Sequence, residues 1–156
     1  MIKLSVLFSL LIALAPVSAN NITDYIDGRC GNKCTHVGNM IHEAVQIASE
    51  SHQVEPNVII AVMQVESNFN PKAQNMSNKG LMQVNLKYHR EKFKGTNPMN
   101  VYANVYVGTY ILKECMDKRR GNLSLALICY NGGGDPRYVR KVKKVLADLN
   151  QKKVTS

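Results

Sequence analysis

Apolar residues recur at intervals of three and four along much of the chain, the signature of helices with one buried face. Met40, Ile41, Ala44, Ile47 and Ala48 outline a helix over residues 37–52. Glu55-Pro56-Asn57 opens the next one, with proline early in the first turn, and the run from Val58 to Phe69 is apolar almost throughout until Glu66. A helix apolar on nearly every side belongs at the centre of a fold. It should end near Asn70-Pro71, because proline disfavours helical geometry in the residue before it. Residues 70–80 read as a polar loop, Gly80-Leu81-Met82-Gln83-Val84 as an apolar turn, and residues 87–95 as a basic, polar stretch broken by Asn97-Pro98. Val101, Val105, Gly108, Tyr110, Ile111 and Leu112 mark a further helix whose glycine permits close packing. Residues 123–130 read as a short buried helix closed by Asn131-Gly132-Gly133-Gly134. Tyr138, Val142, Val145 and Leu149 mark the last helix, with lysines outside that stripe. The stretch before Val37, rich in Asn, Gly and Asp, reads as a loop, so the predicted fold is mainly α, one helical domain.

The first nineteen residues have a different character. Lys3 supplies a positive start, residues 4–15 an apolar run, and Val17-Ser18-Ala19 a small-residue cleavage site, which together describe an export signal. The run stops at Pro16, short of the roughly 20 residues that cross a bilayer, so cleavage is the favoured reading over an uncleaved anchor. Residues 20–156 then form the working domain, exported to the periplasm or beyond.

Lys and Arg number 20 against 11 Asp and Glu, a formal charge of +9 at pH 7, and of the cations only Lys3 lies in the leader. Such a chain is drawn to polyanions, which for an exported protein are envelope polymers and anionic lipid headgroups. Nucleic acid is not expected as a partner, because no nucleic-acid motif or aromatic-basic ladder accompanies the charge. An oxidising destination makes disulfides the natural use of Cys30, Cys34, Cys115 and Cys129. Cys115 and Cys129 flank the turn signal Lys118-Arg119-Arg120-Gly121-Asn122 almost symmetrically, as facing positions of a helical hairpin would; Cys30 then pairs with Cys34. A zinc site from Cys30 and Cys34 with His36 or His42 matches no standard finger spacing, so no metal and no cofactor are expected.

Glu66 is the anomaly of the central helix. Ile59, Ile60, Val62, Met63, Val65 and Phe69 surround it in sequence, and both an apolar setting and the negative end of the helix dipole disfavour its ionised form. A carboxyl that keeps its proton near neutral pH can hand it to a leaving oxygen, the logic of a glycosidase acid. A glutamate simply facing solvent at a helix end is the plainer reading of the residue in isolation.

The surrounding motifs favour the first reading. Glu66-Ser67 with Asn70-Pro71-Lys72-Ala73, then Gly80-Leu81-Met82-Gln83-Val84, then Cys129-Tyr130-Asn131-Gly132-Gly133, resembles in order and spacing the three motifs of the soluble lytic transglycosylase family. The resemblance runs from about Val37 to Arg140 and implies a lysozyme-like helical fold with a sugar cleft. It implies Glu66 as the sole catalytic carboxylate. It also implies Gly80, Met82 and Gln83 along the cleft, the Gln83 amide serving an N-acetyl group, while Leu81 packs in the core. Tyr130 corresponds to the family tyrosine whose hydroxyl meets the glutamate, and Asn131 to its substrate-contacting neighbour. Three departures stand out. The loop between Ala73 and Gly80 is shorter than usual and lacks the customary serine, for which Ser77 is the substitute; Cys129 replaces an alanine; and the large accessory domains of many relatives are missing.

The implied activity is cleavage between N-acetylmuramic acid and N-acetylglucosamine in peptidoglycan, with capture of C1 by the muramic 6-hydroxyl to give a 1,6-anhydro end. A hydrolytic muramidase of the simple inverting kind would need a second carboxylate to activate water, for which Asp135 is the nearby candidate by sequence. A rival of another class is a non-catalytic cationic protein that binds or disrupts the envelope through its lysine-rich last helix. The expected partners are glycan strands and anionic envelope surfaces, engaged by a monomer working for a phage or for a secretion, pilus or conjugation apparatus.

Overall fold

The computed structural model describes residues 19–30, 37–133 and 135–152, so the expected leader up to Ser18, together with Cys34 and His36, lies outside the described residues. The chain is mainly helical: α1 (Ala19–Cys30), α2 (Gly38–His52), α3 (Pro56–Ser67), α4 (Leu86–His89) continuing as a 3-10 turn (Arg90–Phe93), α5 (Val101–Lys118), α6 (Leu123–Tyr130) and α7 (Tyr138–Lys152). Between α3 and α4 runs an antiparallel sheet of two-residue strands, β1 (Gln74–Asn75), β2 (Asn78–Lys79) and β3 (Val84–Asn85), in that spatial order. Gln74 faces Lys79, and Lys79 in turn faces Val84.

Two elements differ from the sequence expectation. Residues 19–30 are helical rather than a loop, because Ile22, Tyr25 and Ile26, at helical spacing, bury themselves against the body of the fold. The fit is close: a Cβ on Gly38, at the start of α2, would stand 2.4 Å from Oδ1 of Asp27. The polar loop at 70–80 holds the first two strands of the sheet, which are too short and too polar to show an alternating pattern; of the six strand residues only Val84 is buried.

Helix α3 is the centre of the molecule. Asn57 through Met63 are buried without a break, with α2 on one side and α7 on the other. Asn68, in the left-handed region, closes the helix by donating its N–H to Gln64 O, so α3 ends a little before the asparagine-proline pair. Helix α7 runs antiparallel to it. Asn57 at the start of α3 donates to Oδ1 of Asn150 near the end of α7, at 2.8 Å, while the other end of α3 meets the first residue of α7.

Helices α5 and α6 form the expected hairpin. Asn100 and Asn122 cap them, each side-chain oxygen accepting a backbone N–H of the first turn. Cys115 and Cys129 are disulfide-bonded with their Cα atoms 5.8 Å apart, and Cys30 is disulfide-bonded as well. Helix α6 is only half buried, since Leu125 and Ile128 face outward while Ala126 and Leu127 enter the core. Gly108 of α5 serves the close packing expected of it: a Cβ there would stand 2.6 Å from Cβ of Met82. Among the described residues no helix is long and apolar enough to cross a membrane.

Replacing Cys115 and Cys129 together by serine should lower unfolding stability by about 3 kcal/mol, the chain-entropy value for a loop of this size. Urea denaturation of the oxidised parent and the double variant measures the difference.

Candidate functional site

A cavity of about 380 Å³ opens where the C-terminal ends of α3 and α6 face the small sheet and α4. Glu66 enters it from the last turn of α3, and Cys129, Tyr130 and Asn131 from the end of α6. The opposite wall carries Asn78, Gln83 and Asn85 from the sheet and its turn, followed by Tyr88 and His89 from α4.

The carboxyl of Glu66 is largely removed from water, and burial pushes its pKa up from an ordinary 4.5 to about 7. The Tyr138 hydroxyl donates to its Oε1 at 2.7 Å and draws part of that rise back. Tyr138 is itself held far above its ordinary range by burial and by the adjacent carboxyl, so it stays protonated and remains a donor. With Oε1 engaged as an acceptor, the acidic proton belongs on Oε2. A carboxyl in this setting is poised to give up a proton and to take one back near neutral pH.

Sequence reasoning assigned the phenol beside Glu66 to Tyr130. The structure separates the two roles. Tyr130 is close enough for the Glu66 charge to help raise its pKa, but its hydroxyl donates to the Met82 carbonyl at 2.8 Å. The start of α7 occupies the position on the carboxyl, and Tyr130, on the neighbouring helix, faces the Gly80–Gln83 turn instead. The available signal for Tyr138 was a polar-tipped residue in the otherwise aliphatic stripe of the last helix.

That turn is held from beneath by Asn104 of α5, a fully buried asparagine the sequence did not single out. Its Nδ2 donates to Lys79 O at 2.9 Å and Pro98 O at 2.8 Å, while its Oδ1 accepts from Met82 N at 2.8 Å. Gly80 sits directly over it at φ +74, where a Cβ would stand 2.4 Å from Nδ2, so both backbone geometry and space require glycine. Gly80 is buried and lies outside the cavity lining.

Met82 likewise belongs to the core and not to the cleft. It has no exposure, its Cβ lies against Gly108, and its sulfur lies 3.7 Å from Thr109 Oγ1. Gln83 does line the cavity, but Nε2 donates to Ala73 O and Gly80 O, so its amide offers a ligand only the oxygen. Ser77 lies in the turn between β1 and β2, where its carbonyl accepts from Leu86 N, and it is Asn78 that enters the cavity. Leu81 is buried as expected.

Asp135 is no partner for Glu66. Hydrogen bonds from the Lys141 ammonium and the Arg137 backbone and side chain hold its pKa down to about 2, and it does not line the cavity. Among the described residues no cluster of His, Cys, Asp and Glu is placed to hold a metal ion.

Fold and cleft together define a mainly α, lysozyme-like protein built round one desolvated carboxyl. The family model of the transglycosylase SLT domain matches residues 43–153, well over half of the chain, and the chain belongs to that family. A relative, the "Transglycosylase" of Enterobacteria phage PRD1, is 32% identical over 92 residues, covering 58% of this chain and 34% of that protein. The chain thus spans about a third of the length of that relative. No solved structure matches it.

The Glu66 environment predicts a pH-dependent stability. The folded pKa of about 7 exceeds the ordinary 4.5, so between those values the folded chain holds a proton that the unfolded chain releases. Stability should therefore fall as pH rises through that window and level off above it. Glu66→Gln, which mimics the protonated form, should match the parent at about pH 4 and exceed it by up to about 3 kcal/mol at about pH 8. Urea denaturation across that range tests this, and a pH-independent difference would contradict it.

Proposed function

We propose that the chain is a peptidoglycan lytic transglycosylase in which Glu66 serves first as acid and then as base. The observation that carries the reading is a cleft carboxyl, the only one lining the cavity among the described residues, with its pKa lifted to about 7 and a phenol fixed on one of its oxygens. Membership of the transglycosylase SLT domain family and the name of the phage relative support it.

In the first step the proton on Oε2 passes to the glycosidic oxygen between N-acetylmuramic acid and N-acetylglucosamine, and the C1–O bond breaks. Glu66 is left as a carboxylate, which the Tyr138 hydroxyl stabilises at Oε1. In the second step that carboxylate removes the proton of the muramic 6-hydroxyl, O6 bonds to C1, and a 1,6-anhydro end is released. Glu66 is again protonated, so the cycle closes without water. Intramolecular capture is favoured over hydrolysis because, among the described residues, no second carboxylate lines the cavity, whereas an inverting hydrolase places one about 6.5 to 9.5 Å from the acid. Tyr130 braces the cleft wall, and Gln83 and Asn131 meet the sugar chain.

The substrate places the working site at the cell wall, with residues 1–19 as the export signal, residues 20–156 as the catalytic domain, and a net positive charge that favours the anionic envelope. The phage origin of the relative keeps wall opening for a phage alongside wall opening for a secretion, pilus or conjugation machine.

Glu66→Gln should lower peptidoglycan turnover by at least about 10²- to 10⁴-fold, the usual cost of one acid-base group. Mass spectrometry of muropeptides released by the parent should find anhydro ends. Reducing ends would assign a hydrolase instead, and lysis undiminished by the Glu66 change would assign a non-catalytic envelope protein.

Tyr138→Phe removes the hydrogen bond that lowers the Glu66 pKa, so that pKa should rise. The alkaline limb of kcat/KM, where the acid loses its proton, should move to higher pH as the rate falls. An unmoved limb would detach Tyr138 from the titrating group.

A further inference from the structure

The chain leaves α3 through two consecutive residues in the left-handed region, Asn68 at φ 48 and Phe69 at φ 61. Asparagine enters that region readily, but a bulky aromatic stays there only where its surroundings hold it. The holding groups come from α1. The Phe69 ring is fully buried, with the Tyr25 ring edge-on to it and the centroids 6.2 Å apart, and Cys30 Sγ lies 3.5 Å from Phe69 O. Asn68 Nδ2 donates to Arg29 O at 3.0 Å, and the Tyr25 hydroxyl donates to Gln64 Oε1 at 2.5 Å. The Arg29 guanidinium sits over the Tyr25 ring, 5.1 Å from its centroid.

Gln64 and Asn68, four positions apart, share one face at the end of α3. Glu66 lies about 200° round the helix from Gln64, and it is this opposite face that enters the cavity. Helix α1 therefore grips the back of the turn whose front carries the carboxyl. A terminal helical turn opens readily unless its neighbours hold it, and here the front is held by the Tyr138 hydroxyl and the back by α1. Helix α1 lies ahead of residues 43–153, the segment that the family model matches.

We propose that α1 is a positioning clamp, in which Tyr25 holding Gln64 and Arg29 holding Asn68 fix the last turn of α3 so that the Glu66 carboxyl keeps its place in the cleft. The clamp rests on the proposed glycan-cleaving function for its kinetic consequence, though not for its effect on the carboxyl. Tyr25 and Asn68 act through the backbone of α3, because neither contacts the cleft.

Two substitutions in the full, oxidised chain each remove one bond of the clamp. Asn68→Gly keeps a residue suited to the left-handed region at an exposed position, and Tyr25→Phe keeps the ring against Phe69, so both preserve the packing. Loosening the turn admits water to Glu66, and its pKa, followed by NMR of the side-chain carboxyl carbon, should move down from about 7 toward the ordinary 4.5. The titratable groups facing that carboxyl are Tyr138 of α7 and Tyr130 of α6, and no charged group of α1 acts on it among the described residues, so the movement reports the backbone. On peptidoglycan, kcat should fall about tenfold with KM changed less than about twofold, and the alkaline limb of kcat/KM should follow the pKa downward. The double variant should exceed either single one. A strut that serves stability alone would lower the urea midpoint and leave the Glu66 titration where it is, so an unmoved titration in the double variant would overturn the clamp. Failure of the parent to cleave peptidoglycan would overturn the function instead, and the titration, read without substrate, separates the two.

Discussion

Glu66 occupies a position where its carboxyl loses most of its water yet keeps one hydrogen bond, and much of the architecture follows from sustaining that condition. Removal from water raises the affinity of the carboxyl for its proton; a single phenol limits the rise and fixes which oxygen is free. Both effects need α7 seated along α3 in one register. Asn57 and Asn150 pin the far end of the pair, and the buried stripe Tyr138, Val142 and Leu149 fills the length between. A shift of α7 by one residue would turn the tyrosine away from the carboxyl, since adjacent helical positions lie about 100° apart.

The opposite wall solves a different problem, that of holding an irregular turn rigid without regular secondary structure. Three two-residue strands cannot do this alone. Asn104 supplies the missing constraint by answering three backbone groups at once from inside α5, and the buried Met82 N–H among them would otherwise be an unmet polar group costing about 1–3 kcal/mol. Tyr130 adds a strut from α6 to the carbonyl of Met82. The turn that faces the cleft is therefore braced by two helices, and these in turn are joined by the Cys115–Cys129 disulfide, whose second half borders the cavity.

What could be read from the residues follows from the range of the physics involved. Helices α2, α3, α5, α6 and α7 announce themselves through local periodicity and breakers, and the Cys115–Cys129 pair through a symmetric turn, because all of these signals lie within one or two helix lengths. The conspicuous carboxylate in an apolar run was legible for the same reason. Helix α1 was hidden by a polar composition that its few apolar contacts override. The sheet was hidden because its pairing is backbone to backbone. The partner of Glu66 was misassigned because a contact spanning 72 residues is decided by how α7 packs, and two tyrosines near the right place look alike in one dimension. Met82 illustrates the converse. A motif suggested a cleft residue, but a glycine one helix away lets α5 approach so closely that the side chain is sealed.

The division of labour between the two tyrosines bears on how one carboxyl would serve the two proton transfers of the proposed mechanism. A group that must be an acid and then a base needs surroundings that favour neither state strongly. Burial alone would leave Glu66 holding its proton too tightly to be a ready acid, and a cation beside it would leave it a weak base. A neutral phenol that cannot itself lose a proton, as both tyrosines here are held, softens the first bias without introducing the second. Two cations flanking Tyr138, Arg137 and Lys141, pair instead with Asp135. Asp135 thus serves as a partner for positive charge at the start of α7 rather than as a second carboxylate of the cleft, and the Glu66 pKa is set by burial and the Tyr138 hydroxyl alone.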